Sequence, residues 1–131
     1  MTDLWDALDG VAGTTPEQAI RAVLKAVPVD DAWYRVTAEF TAHALRNPPL
    51  RQEMAERESA IRDTIMPIVE DALARMGRRV TDRAALGHAL VAVHDGTMVQ
   101  CLLEPRSRTV RRRREALFMN VLQAYSTEEK P

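Results

Sequence analysis

Apolar residues recur at three- and four-residue intervals along most of the chain, the spacing that lines one face of an α-helix. Leu4, Trp5, Leu8, Val11 and Ala12 predict a short helix over residues 3–12. Thr15, Pro16 and Gln18 mark the next start, with a capping hydroxyl, a proline suited to the first helical position and the glutamine of a capping box. Ile20, Val23, Leu24 and Val27 form its stripe, and Pro28 stops it. Asp30 or Asp31 caps a helix whose buried face is Trp33, Val36, Phe40, Ala44 and Leu45. Asn47-Pro48-Pro49 breaks the chain and restarts it, with Asn47 as the expected cap. Leu50, Met54, Ile61, Ile65, Val69, Leu73 and Met76 then line one long helix. Pro67 falls inside it and predicts a kink or a division near residues 64–67, and Gly77 closes it.

The segment from Thr81 to Glu104 has a different pattern. Ala84, Ala85, Leu86, Ala89, Leu90, Val91, Ala92, Val93, Met98, Val99, Cys101, Leu102 and Leu103 surround its axis rather than forming one stripe. At ~1.5 Å per residue it spans about 35 Å, with Thr81 as the expected cap and Pro105 as the stop. A helix that is apolar nearly all round must be covered nearly all round. A domain of five or six helices covers one side well, so the other side predicts a second copy of the chain. Ala85, Ala89, Ala92 and Gly96 are small enough for close helix approach. A central core helix in a monomer is the plainer alternative. A last helix, from about Arg108 to Tyr125, carries Val110, Leu117, Phe118, Val121, Leu122 and Tyr125, and residues 126–131 read as a loose tail.

Composition sharpens this picture without changing it. The length of 131 residues suits one domain over residues 1–131, and a chain of this size buries roughly two-thirds of its unfolded surface without disulfides or metal. Ala, Leu, Arg and Glu dominate, all good helix formers. The fold class is therefore all-α. Formal net charge is −1, divided between an acidic first part, 13 acids against 8 bases over residues 1–76, and a basic remainder, 6 against 10. That balance gives no general reason to expect a nucleic-acid partner. The single cysteine, Cys101, lies in an apolar stretch, which suits a buried thiol in a reducing compartment. The first residues carry no basic start or apolar core, and His88, His94, Asp95 and Gln100 interrupt the most apolar run. These features read as a cytoplasmic protein with no membrane association.

Several features invite chemistry, and each has a plainer reading. Arg111–Arg114 resembles a phosphate-binding run, yet four consecutive helical residues point in four directions. Arg113 and Arg114 fall one turn before Leu117, where their stems pack and their heads reach water or a carboxylate. The histidines show no His-x-x-x-His, no Glu-x-x-His and no cysteine pair, so no metal and no cofactor is expected. His88 and Asp95 share a helix face but sit two turns apart. No Gly-rich phosphate loop or recognisable nucleophile is present, so the chain does not read as an enzyme. His43, His88, His94, Asp95, Thr97 and Gln100 are polar groups in apolar helices and need partners. Together with Trp33, Phe40, Met54, Met66 and Met98 they have the composition of a small-molecule pocket, or of a core with internal hydrogen bonds.

The order of the segments resembles the C-terminal regulatory domain of tetracycline-repressor (TetR) family transcription factors. Three stretches carry the resemblance: residues 33–48, from Trp33-Tyr34-Arg35-Val36 to the Asn47-Pro48 break; the long helix ending at Gly77; and residues 82–105, from Asp82-Arg83-Ala84-Ala85-Leu86-Gly87-His88 to Glu104-Pro105. It covers roughly residues 15–125. It implies that residues 82–104 and 108–125 pair with a symmetry mate as a four-helix bundle, and that residues 16–76 enclose a cavity for a small, mostly apolar effector. Trp33, Phe40, His43, Met66, His88, Val91, Asp95 and Met98 are the implied cavity residues. Ala85, Ala89, Leu90, Gly96, Leu117, Val121 and Tyr125 are the implied homodimer interface. The family's N-terminal helix-turn-helix has no counterpart here. The resemblance therefore implies a truncation or a natural domain without that head, with DNA bound only through the missing part. A helical dimeric interaction module without a pocket, and a small all-α enzyme using His43, His88 or His94, stand as alternatives.

Overall fold

Capping chemistry sets most of the helix boundaries in the computed structural model, which describes residues 15–129; the helix expected over residues 3–12 lies outside them. Thr15 and Gln18 form the expected capping box, each side chain accepting from the other's backbone N–H, and open α1 (Pro16–Ala26). Asp30 accepts from the Trp33 N–H at 2.9 Å and opens α2 (Asp31–Leu45). Asn47 occupies the cap position of α3 (Pro48–Arg75) without a side-chain hydrogen bond. Its carbonyl instead accepts from the Leu50 and Arg51 N–H groups. Of the kink or division expected at Pro67, the division does not occur, and α3 runs through it as one helix. Pro67 and Asp63 are both exposed, so water can take the place of the donor that the ring removes.

Two expectations are corrected after α3. Met76 ends the helix and Gly77 takes a left-handed φ of +72°, which turns the chain into a short strand, β1 (Arg78–Val80). The tail read as loose pairs with it: β2 (Ser126–Glu128) runs antiparallel to β1, with Val80 opposite Ser126. Side chains account for this anchoring. The Arg78 guanidinium donates to Ser126 Oγ at 2.8 Å and to the Ser126 carbonyl at 3.0 Å. The Thr81 N–H donates to the Tyr125 carbonyl, so Thr81 extends the ribbon, and Asp82, accepting from the Ala85 N–H, is the cap of α4 (Arg83–Leu103). Ser107 caps α5 (Arg108–Ala124), and residues 104–107 join α4 and α5 into a hairpin.

The core is assembled from α1, α3, α4 and α5. Phe118, Leu73, Leu86, Leu122 and Val69 are fully buried, with Ile20, Val23, Met66, Ile68 and Leu90 around them. α2 contributes nothing to this cluster. It packs along α3 through Ala44 and leaves Trp33, Val36 and Phe40 incompletely covered. Five helices and one two-stranded ribbon make the described residues an all-α fold. No helix among them is long and apolar enough to cross a membrane.

Candidate ligand cavity and open helix face

The apolar face of α2 borders a cavity instead of the core. Trp33, Val36, Thr37 and Phe40 form one wall of a space of about 510 Å³. Met54, Arg57, Glu58, Ile61, Arg62 and Met66 of α3 form a second wall. Leu90, Val91, His94, Asp95 and Met98 of α4 form a third, and Phe118 of α5 closes the inner end. The pattern in α2 follows from its role: side chains at helical spacing face one way, but they face a space large enough for a small molecule. Arg57 stacks over the Trp33 ring at 4.9 Å and ties the outer wall to α3.

Of the residues expected at the cavity, Trp33, Phe40, Met66, Val91, Asp95 and Met98 line it. His43 does not, being exposed in the last turn of α2. His88 is also exposed and lines a smaller neighbouring pocket with Ser59, Arg62, Asp63 and Arg83. The three histidines thus stand on different surfaces, and only His94 reaches the large cavity. Gly87 belongs to both pockets; a Cβ there would lie 3.3 Å from Arg62 Cδ and 3.6 Å from Met66 Sδ.

Behind His94 sits a group that the sequence reading placed at the surface. Arg114 is only 6% exposed. Its head is largely withdrawn from solvent and pairs with no carboxylate among the described residues, contrary to the expectation from the stem-packing argument. One terminal nitrogen donates to Thr97 Oγ1 at 2.8 Å and to the His94 carbonyl at 3.4 Å. The other donates to the Val27 carbonyl at 2.7 Å and meets His94 Nδ1 at 3.2 Å. The guanidinium also stacks over Phe118 at 4.8 Å. Thr97 Oγ1 in turn donates to the Val93 carbonyl at 2.6 Å. Arg114 thereby joins α5, α4 and the end of α1. The signal for its burial was its spacing: it lies four residues before Phe118 and eight before Leu122, on the buried face of α5.

Protonation follows from this packing. Burial, and then the Arg114 charge, lower the His94 pKa to about 4, so its ring is neutral near pH 7. Arg114 has protons to donate and none to accept, so Nδ1 is the acceptor and the ring proton sits on Nε2. Burial, and then the Glu58 carboxylate, raise the pKa of Asp95. Burial lowers that of Arg114, with Cys101 acting in the opposite direction.

A second feature lies on the outer side of α4. Ala85, Ala89, Ala92, Gly96, Val99 and Leu103 follow one another at four- and three-residue steps. All are half-buried or exposed, with Leu103 at 76%. Leu117 of α5 is exposed as well, while Val121 and Tyr125 are half-buried against the core. Leu90, expected at an interface, instead faces inward, where it is buried and lines the cavity. Helix α4 therefore has a buried side and an open side, and the open side is made of small and apolar residues.

A family model for the C-terminal part of BetI-type transcriptional repressors matches residues 15–125. The chain belongs to the TetR family. Its matched span is the family's C-terminal regulatory domain and runs from the α1 cap to the end of α5. No curated protein and no solved structure matches the chain. TetR-family regulators are typically dimeric and bind small effectors and DNA. Cavity and open helix face lie on opposite sides of α4 in this TetR-family domain.

Proposed function

We propose that this chain is the ligand-sensing and dimerisation domain of a TetR-like transcriptional regulator. The observation that carries this reading is the large apolar cavity between α2 and the core, with few polar groups at its wall. A purely structural module would be expected to fill that space with side chains. The α4–α5 hairpin would meet its symmetry mate through Ala85, Ala89, Gly96 and Leu117, forming a four-helix bundle. A small, mostly apolar effector would bind between α2, α3 and α4. Occupancy would favour one of two dimer arrangements, to the extent that the effector binds one better than the other. α4 is suited to carry that coupling because one helix contributes to both surfaces. The reading implies no catalytic step and no metal.

A thermal-shift screen of the purified chain against neutral, anionic and cationic apolar compounds tests the sensing role. The expected result is a concentration-dependent rise in Tm for a chemically related subset. No shift with any compound would overturn it.

A further inference from the structure

We propose that the cavity takes an apolar ligand with a singly charged anionic head, a carboxylate, seated at His94. The proposal rests on the cavity reading above and specifies its chemistry. Three observations converge on it. The first is the fixed donor. Arg114 occupies Nδ1 of His94, a residue that lines the cavity, which leaves Nε2–H as the ring's remaining donor, and Nε2 makes no hydrogen bond among the described residues. A group placed there must accept.

The second is a positive charge without a counter-ion. Arg114 is buried and contacts two carbonyls, a hydroxyl, an imidazole and the Phe118 ring. No carboxylate pairs with it among the described residues. Buried charges are normally paired, and unlike surface charges they are little screened by salt. His94 and Phe118, which separate Arg114 from the cavity, touch both, so an anion bound at His94 would lie within reach of this charge.

The third is the placement of the other charges. Asp30, Glu58 and Asp95 also line the cavity and would repel an anion close to them. Asp30 and Glu58 are exposed, Glu58 with Arg62 3.9 Å away, whereas the Asp95 carboxyl is partly buried. Water weakens the field of Asp30 and Glu58, and Arg62 that of Glu58, whereas no carboxylate among the described residues offsets Arg114. Arg57 adds positive charge to the same wall. One donor and one buried charge match a monoanion, and Met66, Val69 and Leu90 offer the chain of such a ligand an apolar surface.

Calorimetric titration of the full chain at pH 7 with decanoate, decanol and decylamine tests this. Decanoate is expected to bind about tenfold more tightly than either analogue. His94→Phe should bring the carboxylate preference below about twofold while decanol binding survives, and His94→Gln, which keeps an acceptor and a donor, should retain most of it. In the unaltered protein, the His94 ring nitrogen signals should move on adding decanoate and not decanol, a readout that needs no variant. Equal or tighter binding of decanol or decylamine would overturn the ligand class and leave the cavity reading standing. If none of the three binds, both fall.

Discussion

A guanidinium removed from water is stabilised only by the hydrogen bonds it makes in exchange. Arg114 makes them to Val27, Thr97 and His94, residues contributed by one other helix, α4, and by the end of α1. Arg114→Met keeps the stem and leaves those acceptors buried without a donor. The expected loss is about 2–4 kcal/mol of stability, read from urea unfolding. His94 adds a pH dependence with a definite sign. Its folded-state pKa, about 4, lies below the ordinary 6.5, so between those values the unfolded chain binds a proton that the folded chain refuses. The His94 contribution therefore falls as pH drops from 6.5 towards 4 and is constant below. Asp95 acts in the opposite direction, because a raised carboxyl pKa favours the folded state as pH falls. Stability measured against pH for the chain and for His94→Gln should diverge across that window; identical profiles would contradict the neutral, Arg114-bound imidazole. The linkage was only half legible beforehand. Spacing places Arg114 on the face of Phe118 and Leu122, but its partners come from residues 17 to 87 positions away in sequence. No local pattern brings Val27 to it.

At the scale of elements, caps and stripes translate directly into helices wherever the signal is local. Thr15 with Gln18 and Asp30 each start a helix as their chemistry requires. Asp82→Ala should cost about 1 kcal/mol of stability through the lost cap of α4, measured by thermal unfolding. The ribbon was not legible, since each strand is three residues long and its stability comes from Arg78 and Ser126 meeting across 48 positions. Helix α4 was legible as apolar nearly all round but not in its division of faces. That division depends on where α3 and α5 pack, which placed Leu90 inward and left Gly96 and Leu103 open. The open side gives a prediction of its own. Leu103→Glu and Gly96→Glu should barely alter the stability of an isolated chain, because neither position is packed within it. Both should turn a dimer into a monomer in sedimentation velocity. A monomeric unaltered chain at high micromolar concentration would contradict the proposed seam.

For the molecule as a whole, the account joins a cavity on one side of α4 to an unpartnered face on the other. The sequence conveys the ingredients of the cavity, because Trp33, Phe40, Met66, Val91, Asp95 and Met98 all reach it. It does not convey the boundary, because His43 and His88 share the same polar-in-apolar character yet lie on other surfaces. Space is a property of packing between helices, and α2 leaves that space by standing off the core cluster. The central claim is that this space admits a small apolar molecule, and a titration with the neutral fluorophore 1-N-phenylnaphthylamine tests it most directly. Val91 lines the cavity and is only half-buried, so Val91→Trp plugs the space with little disturbance of the core. The unaltered chain should bind one dye per chain, saturably, in the micromolar range, and Val91→Trp should weaken binding by about tenfold or more at an unchanged Tm. No saturable binding, or equal binding by the plugged variant, would contradict it.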